Sequence, residues 1–391
     1  MGNPSYYAVD ELAERLNHLN HVVMSEAIAP DSIKARPIFS VARSQGMLAK
    51  SDTFIRRTLV ALGRRRKSDG VAPPPLQQVD LRALVQEFRI DTDLRQKPAA
   101  VTAVLSLKGG VAKSTTALHL AHFCALLDQR VMLADIDPQA TSTAYAGLNP
   151  DLHISQQDTL HDVFVNGETD IGPLIRSVQH IDALDYIPSC SDLAQASELA
   201  FGRMYHAKGA AELAEAHGIK LESDPFTFWT TLRDALAPQR GNYQHIILDC
   251  PPQISAITYA AAFAADVIIC PLGASMNDLS STGKFLTWLS SVNRELGRPD
   301  QLVKFLITNY DNSQAASFMA NLARGALGDH LLQNYAVHSS EIQRAGADLK
   351  SIYECHQASG SRDAWSRAVK SMDSVNVELA SAINQFRRQQ P

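Results

Sequence analysis

The segment Leu105-Ser106-Leu107-Lys108-Gly109-Gly110-Val111-Ala112-Lys113-Ser114-Thr115 leaves few folds open to this chain. An apolar run passes through two glycines into a helix-forming stretch. Glycines let backbone N–H groups approach phosphate oxygens closely, the start of a helix aims its uncapped N–H groups and positive dipole end at them, and Lys113 adds a cation. Such a cradle works only where a strand feeds a helix. From Ala99 onward, the β-branched and apolar runs VTAVLSL, RVMLADI, LDYIPS, HIILDC, DVIICPL and KFLITNY alternate with helical stretches such as STTALHLAHFCALL. That rhythm predicts an α/β fold, a mostly parallel sheet flanked by helices. Trp365, Val369, Met372, Val375, Leu379, Ile383 and Phe386 then recur at helical steps, predicting a terminal helix packed on the sheet.

The loop departs from the general phosphate-binding pattern, because Leu107 and Ala112 stand where that pattern asks for glycine. It meets instead the deviant form K-G-G-x-x-K-[ST], with Lys108 as a second lysine. Two further strands end in acids. Val131-Met132-Leu133-Ala134-Asp135-Ile136-Asp137-Pro138-Gln139 delivers two carboxylates, and His245-Ile246-Ile247-Leu248-Asp249-Cys250-Pro251-Pro252 delivers one. In open α/β sheets the carboxyl ends of strands are where ligands bind. A carboxylate there can orient an attacking water or hold a magnesium-bound one, and Ser114 has the position of a direct metal ligand. In the deviant Walker ATPases that these motifs resemble, the second acid of D-x-D-P-Q, here Asp137, has the hydrolytic role, and Asp249 falls where the metal-side acid stands.

Composition bounds the rest. At 391 residues, with 45% hydrophobic and 20% charged residues, the chain has the makeup of a globular protein of two or three domains. No stretch reads as a membrane span, since the most apolar one, Ala256 to Ala274, is interrupted by Asp266 and Pro271. The first residues lack a basic start followed by an apolar run, which predicts a cytoplasmic protein. Cys124, Cys190, Cys250, Cys270 and Cys355 show no CxxC spacing, which predicts buried free thiols rather than a disulfide or zinc framework.

The net charge of −5 hides a basic front. Residues 33–100 hold 14 Lys/Arg against 6 Asp/Glu, a balance of 14 − 6 = +8, the footprint of contact with a phosphate backbone. Asp10 to Ala29 carries apolar residues at helical steps and is expected to be a packing or dimerisation helix, giving a first unit of residues 1–30. In residues 31–98, a short helical piece, a turn at Gly46 and a second helix capped by Ser51 have helix-turn-helix rhythm. Phe54, Ile55, Leu59 and Leu62 are expected to face the core, with Thr53, Arg56, Arg57 and Val60 outward. Arg64, Arg65, Arg66 and Lys67 follow, then a proline-rich VAPPPLQQ that suits a wing, then the helical VDLRALVQEFRI. The pattern resembles a winged helix-turn-helix module, with Ser51, Thr53, Arg56, Arg57 and Arg64 to Lys67 as DNA-contact candidates. A small helical lid with a basic face would give the same pattern.

Taken together, residues 99–391 resemble the ParA-type partition ATPases, of the long form that carries an N-terminal winged-helix domain. The resemblance includes ITNYDN, whose Asn309 falls where the family contacts adenine, and PLGASMNDLSS, whose Asp278 lies in the family's switch region. It implies an ATPase with ATP and Mg2+ as cofactors, a nucleotide site formed by Lys108, Gly109, Gly110, Val111, Ala112, Lys113, Ser114 and Thr115, and a metal site using Ser114, Asp249 and Asp137. It implies that Lys108 reaches across a homodimer to the partner's ATP, and that the ATP-bound dimer holds DNA without sequence preference at the nucleoid. Arg324, Arg344, Lys350 and Arg367 are candidates for that surface. A ParB-like centromere-binding protein would stimulate hydrolysis, and the front module would read the operator of its own operon. A purely regulatory DNA-binding protein whose nucleotide only switches its conformation is the alternative. Iron–sulfur relatives of the same fold need paired cysteines that this chain lacks.

Overall fold

The computed structural model describes residues 38–39, 47–48, 52–64, 76–87, 92–216, 227–298, 301–355 and 358–390. The helix expected over Asp10 to Ala29, the turn at Gly46, Ser51 and the basic run Arg65 to Lys67 lie outside them. At the front, strand β1 (Ile38–Phe39) pairs antiparallel with β2 (Leu76–Gln77), flanked by helices α1 (Asp52–Ala61) and α2 (Gln78–Glu87).

The main body alternates strand and helix. In chain order come β3 (Ala100–Val104), α3 (Lys113–Leu126), β4 (Val131–Asp135), the short α4 (Thr141–Tyr145), α5 (Pro150–His153) and α6 (His161–Asn166). Then follow β5 (Arg176–Ser177), β6 (Leu184–Ile187), α7 (Leu193–Ala216), α8 (Phe228–Leu236), β7 (His245–Asp249) and α9 (Ala256–Ala264). The chain finishes with β8 (Val267–Gly273), α10 (Met276–Leu296), β9 (Leu302–Thr308), α11 (Gln314–Leu327), α12 (Ser340–Ala347) and α13 (Arg362–Gln389). The seven strands β3 to β9 form one sheet in the order β5-β6-β4-β7-β3-β8-β9. Every pairing is parallel except that of the edge ribbon β5 with β6. This is the α/β architecture that the apolar runs predict, and β5 is the piece they do not announce.

Helices cover both faces, so the central strands are apolar throughout rather than alternating. All five residues of β3, β4 and β7 are buried. Side chains still alternate between two cores. Ala100 and Val104 join the core under α3 and α13, whereas Val101, Ala103 and Leu105 join the core that includes Ile257, Phe285 and Leu289. Helix α3 lies between sheet and α13 and is buried almost all round.

The front helices pack on this first core. Ile55, Leu59, Leu76, Leu81 and Leu84 belong to the same buried cluster as Leu118, Phe123 and Val375. Gln78, 2% exposed, donates to the Ala125 carbonyl at 3.2 Å and the Asp182 carbonyl at 3.1 Å, and accepts from the Asp182 N–H. The division of faces expected for α1 holds for Ile55 and Leu59, which are buried, and for Arg56, Arg57 and Val60, which are exposed. It fails for Phe54 and Leu62, at 50% and 37% exposure. At the far end, Val369, Met372, Val375, Leu379 and Ile383 of α13 are buried as their spacing predicts. Arg387, 2% exposed, donates to the carbonyls of Leu94, Lys97 and Pro98 and so ties the segment before β3 to the last turn of α13.

Cys124, Cys190, Cys250 and Cys270 are buried free thiols, and Cys355 is only half-buried. Among the described residues no helix is long and apolar enough to cross a membrane.

Candidate functional site

The carboxyl ends of β3, β4 and β7 meet at one point, because the parallel register sets Val104 beside Asp249 and Asp135 beside Asp249 on neighbouring strands. From β3 the chain runs through Lys108, Gly109 and Gly110 into α3. Gly110 has φ 75° and Ala112 has φ 61° and ψ 39°, so two left-handed residues turn the backbone back over the strand end. Ala112, the N-cap of α3, offers no side-chain cap, which leaves the first N–H groups of the helix for an anion. The Ala112 carbonyl accepts from the Thr116 N–H and hydroxyl, and the Val111 carbonyl from the Thr308 hydroxyl at 3.2 Å, so neighbours on α3 and β9 hold the loop.

Lys113 sits at the base of the loop, 7% exposed, and its Nζ donates to the Lys108 carbonyl at 3.2 Å. Burial pulls its pKa below the usual lysine value, opposed by attraction to Asp249 and Asp137. Lys113 is thus within electrostatic reach of Asp137 and Asp249.

Asp249 is fully buried. Its Oδ2 accepts from the Ser142 hydroxyl at 2.7 Å, while its Oδ1 is buried with no hydrogen bond. Burial raises its pKa to about 6, the Ser142 and Ser114 hydroxyls and Lys113 pull it down, and Asp137 pushes it up. A buried carboxylate oxygen without a donor, next to a serine hydroxyl at a helix start, has the chemistry of a hard-cation site, which wants oxygen ligands and supplies the missing charge. The residues present therefore fit Mg2+.

Asp135 and Asp137, two residues apart, differ completely in use. Asp135, 1% exposed, accepts from the Thr143 N–H and hydroxyl at 2.8 Å each and from the Asp137 N–H at 3.1 Å. Burial and the charge of Asp249 raise its pKa well above the usual carboxylate range. Asp137, 7% exposed, accepts at Oδ1 from the Gln139 N–H at 3.0 Å.

Above the loop a cleft of about 390 Å³ opens, lined on one side by Lys108, Gly109 and Gly110 and on the other by Asp278, Asn309 and Asp311. Asn309 has φ 53° and stands just past the end of β9. Lys108, 36% exposed, is ion-paired with Asp278, whose other oxygen takes the Ser275 hydroxyl. A Cβ at Gly273 would lie 2.6 Å from an Asp278 oxygen, so a side chain there would displace Asp278.

The remaining candidates are spread over the molecule. Arg56 and Arg57 project from α1, and Arg64 is ion-paired with Asp80 at 3.8 Å. Arg324 donates to the carbonyls of Leu331 and Leu332, which employs it in holding the turn after α11. Arg344 pairs with Glu341 and is 51% exposed, Arg367 is exposed and Lys350 is half-buried. Residues that the sequence reading did not single out are Ser142, Thr143, Ser189, Ser275 and Thr308. The cluster Thr141-Ser142-Thr143 right after the two acids was the available signal, because hydroxyls at a helix start next to buried carboxylates are natural donors to them.

Comparisons with known proteins agree with this geometry. The model of a family described as AAA domain matches residues 99–300. Protein SopA of Escherichia coli strain K12 is 30% identical over 285 residues, covering 71% of this chain and 69% of SopA. The chromosome partitioning protein ParA of Caulobacter vibrioides is 27% identical over 236 residues, covering 59% and 78%. Among solved structures, the ATP complex of Cyanothece McdA superposes with TM-score 0.56 at 18% identity, covering 73% of this chain and 97% of that one. A partition protein superposes with TM-score 0.59 at 17% identity over 98% of this chain and 99% of its own, a likeness of fold. With a deviant phosphate loop, two acid-tipped strands and a family model spanning more than half its length, the chain belongs to the AAA domain family and is a ParA-type P-loop ATPase.

Proposed function

We propose that the protein is an ATP-hydrolysing DNA partition factor that also represses its own operon. The observation that carries the ATPase reading is the left-handed loop between β3 and α3, with an uncapped helix start, a buried Lys113 that feels the charges of Asp249 and Asp137, and a neighbouring cleft walled by Lys108, Gly109, Gly110 and Asn309. In this reading the N–H groups of Gly109 to Thr115 and the Lys113 ammonium hold the β- and γ-phosphates, and Asn309 meets the base. Ser114, Asp249 and Asp137 would hold Mg2+. The metal, when bound, neutralises charge on the transferring phosphoryl group. Asp137 orients the attacking water: the Gln139 N–H occupies its Oδ1, whereas both oxygens of Asp135 take donors of the chain.

Lys108 is the residue supplied to a second copy. Its ammonium is ion-paired with Asp278, across the cleft in the segment after β8, so the pair must open before Lys108 reaches a neighbouring nucleotide. Supplying a cation only from the partner ties hydrolysis to dimerisation. The ATP-bound dimer would hold bulk DNA by phosphate contacts, a ParB-like partner would trigger release, and the front module would read an operator through Thr53, Arg56 and Arg57, with Arg64, Arg65, Arg66 and Lys67 on phosphates. Relatives named SopA and ParA support the partition role.

A gel-shift titration on random-sequence duplex DNA tests the DNA arm. The reading expects Mg-ATP to tighten binding and rising salt to weaken it steeply. Equal binding with and without nucleotide would count against it.

A further inference from the structure

The acid assigned to hydrolysis sits on a loop, not on a strand, and nothing in the chemistry of a loop explains why Asp137 should keep one orientation. Its backbone is held from two sides. The Asp137 N–H donates to Asp135 Oδ1 at 3.1 Å, and the Asp137 carbonyl accepts from the Ser189 hydroxyl at 2.7 Å. Both holds run through Thr143. Its hydroxyl donates to Asp135 Oδ2 at 2.8 Å and, as acceptor, takes the Ser189 N–H at 2.8 Å. Thr143 is 0% exposed and Ser189 is 0% exposed, so neither bond competes with water.

We propose that Thr143 and Ser189 are positioning residues for Asp137, joined through Asp135 into a closed ring of hydrogen bonds that fixes the peptide carrying the hydrolytic acid. The inference rests on the reading of Asp137 given above. The ring links three elements, the tip of β4, helix α4 and the segment after β6, and carries the β4–β6 pairing past the last paired residues, Ala134 and Ile187, to the loop that holds Asp137. Thr143 has both hydrogen-bonding capacities of its hydroxyl in use, one as donor and one as acceptor, which an alanine or valine of similar shape cannot reproduce. Asp135 is thereby committed to structure, and its buried oxygens face donors of the chain rather than the cleft.

The test is single-turnover and steady-state hydrolysis of Mg-ATP by the full chain, with nucleotide affinity measured on the same samples. Thr143→Val and Ser189→Ala are expected to lower kcat about 10- to 100-fold, the usual cost of misplacing a catalytic group by a fraction of an ångström to an ångström, with ATP affinity held within about twofold. Thr143→Ser, which keeps the hydroxyl, is expected to recover most of the rate. A loss caused by general loosening of the site would lower affinity and kcat together and would not be rescued by serine. If Thr143→Val fails to fold, Ser189→Ala carries the test, since it removes one hydroxyl and keeps the N–H to Thr143. Normal kcat in folded Thr143→Val or Ser189→Ala, or no recovery in Thr143→Ser, overturns the proposal. Normal hydrolysis by Asp137→Ala would instead overturn the assignment of the acid, so the two failures are told apart.

Discussion

Ala112 is the residue at which the phosphate loop departs from glycine while keeping a glycine's conformation. At φ 61° and ψ 39° an L-residue pays about 1–2 kcal/mol for the contact of Cβ with the following carbonyl. Ala112→Gly removes that cost, but returns freedom to the unfolded chain worth about 0.4–1 kcal/mol. The balance is a stabilisation of about 0.8 kcal/mol, or a rise of about 2–3 °C in melting temperature for a domain of this size. Ala112→Val moves the other way, because a β-branched residue is a true outlier at positive φ and should cost at least a further 1 kcal/mol or so. The assay is urea or thermal unfolding of the full chain without nucleotide, following a signal from the sheet domain. The order expected is Gly at or above Ala, with Val clearly below. A glycine variant less stable than the parent by about 1 kcal/mol, the ordinary penalty in a helix, would refute the claim that the loop is held in a left-handed turn.

Three other perturbations follow from the packing. Arg387→Met should cost about 3 kcal/mol, since the carbonyls of Leu94, Lys97 and Pro98 each lose a buried donor; denaturant midpoints read this, and a loss under about 1 kcal/mol would contradict it. His245 is fully buried, and burial lowers its pKa to about 3 from 6.5, with Arg387 adding to the shift. The unfolded chain therefore binds one more proton between those values, so stability from this group is complete above pH 6.5 and is lost as pH falls toward 3. Relative to His245→Leu, the wild type should lose about 1.4 kcal/mol per pH unit between pH 6 and 4.5, whatever their offset at pH 7; parallel curves would refute it. Charge reversal at Arg56 and Arg57 should abolish binding to the DNA upstream of the protein's own gene while sparing ATP-dependent binding to random duplexes, read by the same gel shift; equal loss of both would reject separate surfaces.

The fold was legible because its signal is local. Strands buried on both faces read as unbroken apolar runs, and the acids at their tips stand out against them. The phosphate loop was legible because Gly109, Gly110 and Lys113 have few other reasons to stand together between a strand and a helix. What escaped was whatever depends on distant residues meeting. The two-residue β5 has no periodicity to detect. Phe54 and Leu62 follow the helical pattern yet are exposed, since which residues of an apolar face meet a partner is a tertiary property. The ring through Asp135, Thr143 and Ser189 needs β4 and β6 side by side, and that adjacency is set by sheet order rather than by spacing. The sequence also could not say that Arg324 is spent on carbonyls of the next turn.

The proposed function turns on Lys113 binding Mg-ATP and on Asp137 acting in its hydrolysis. Phosphate release from saturating Mg-ATP, measured beside equilibrium nucleotide binding, tests it directly in the wild type, Lys113→Ala and Asp137→Ala. The expected result is turnover by the wild type, binding weakened about 100-fold in Lys113→Ala, and tight binding with release at least about 100-fold slower in Asp137→Ala. Phosphate release by Asp137→Ala at the wild-type rate, or unchanged binding in Lys113→Ala, would contradict it.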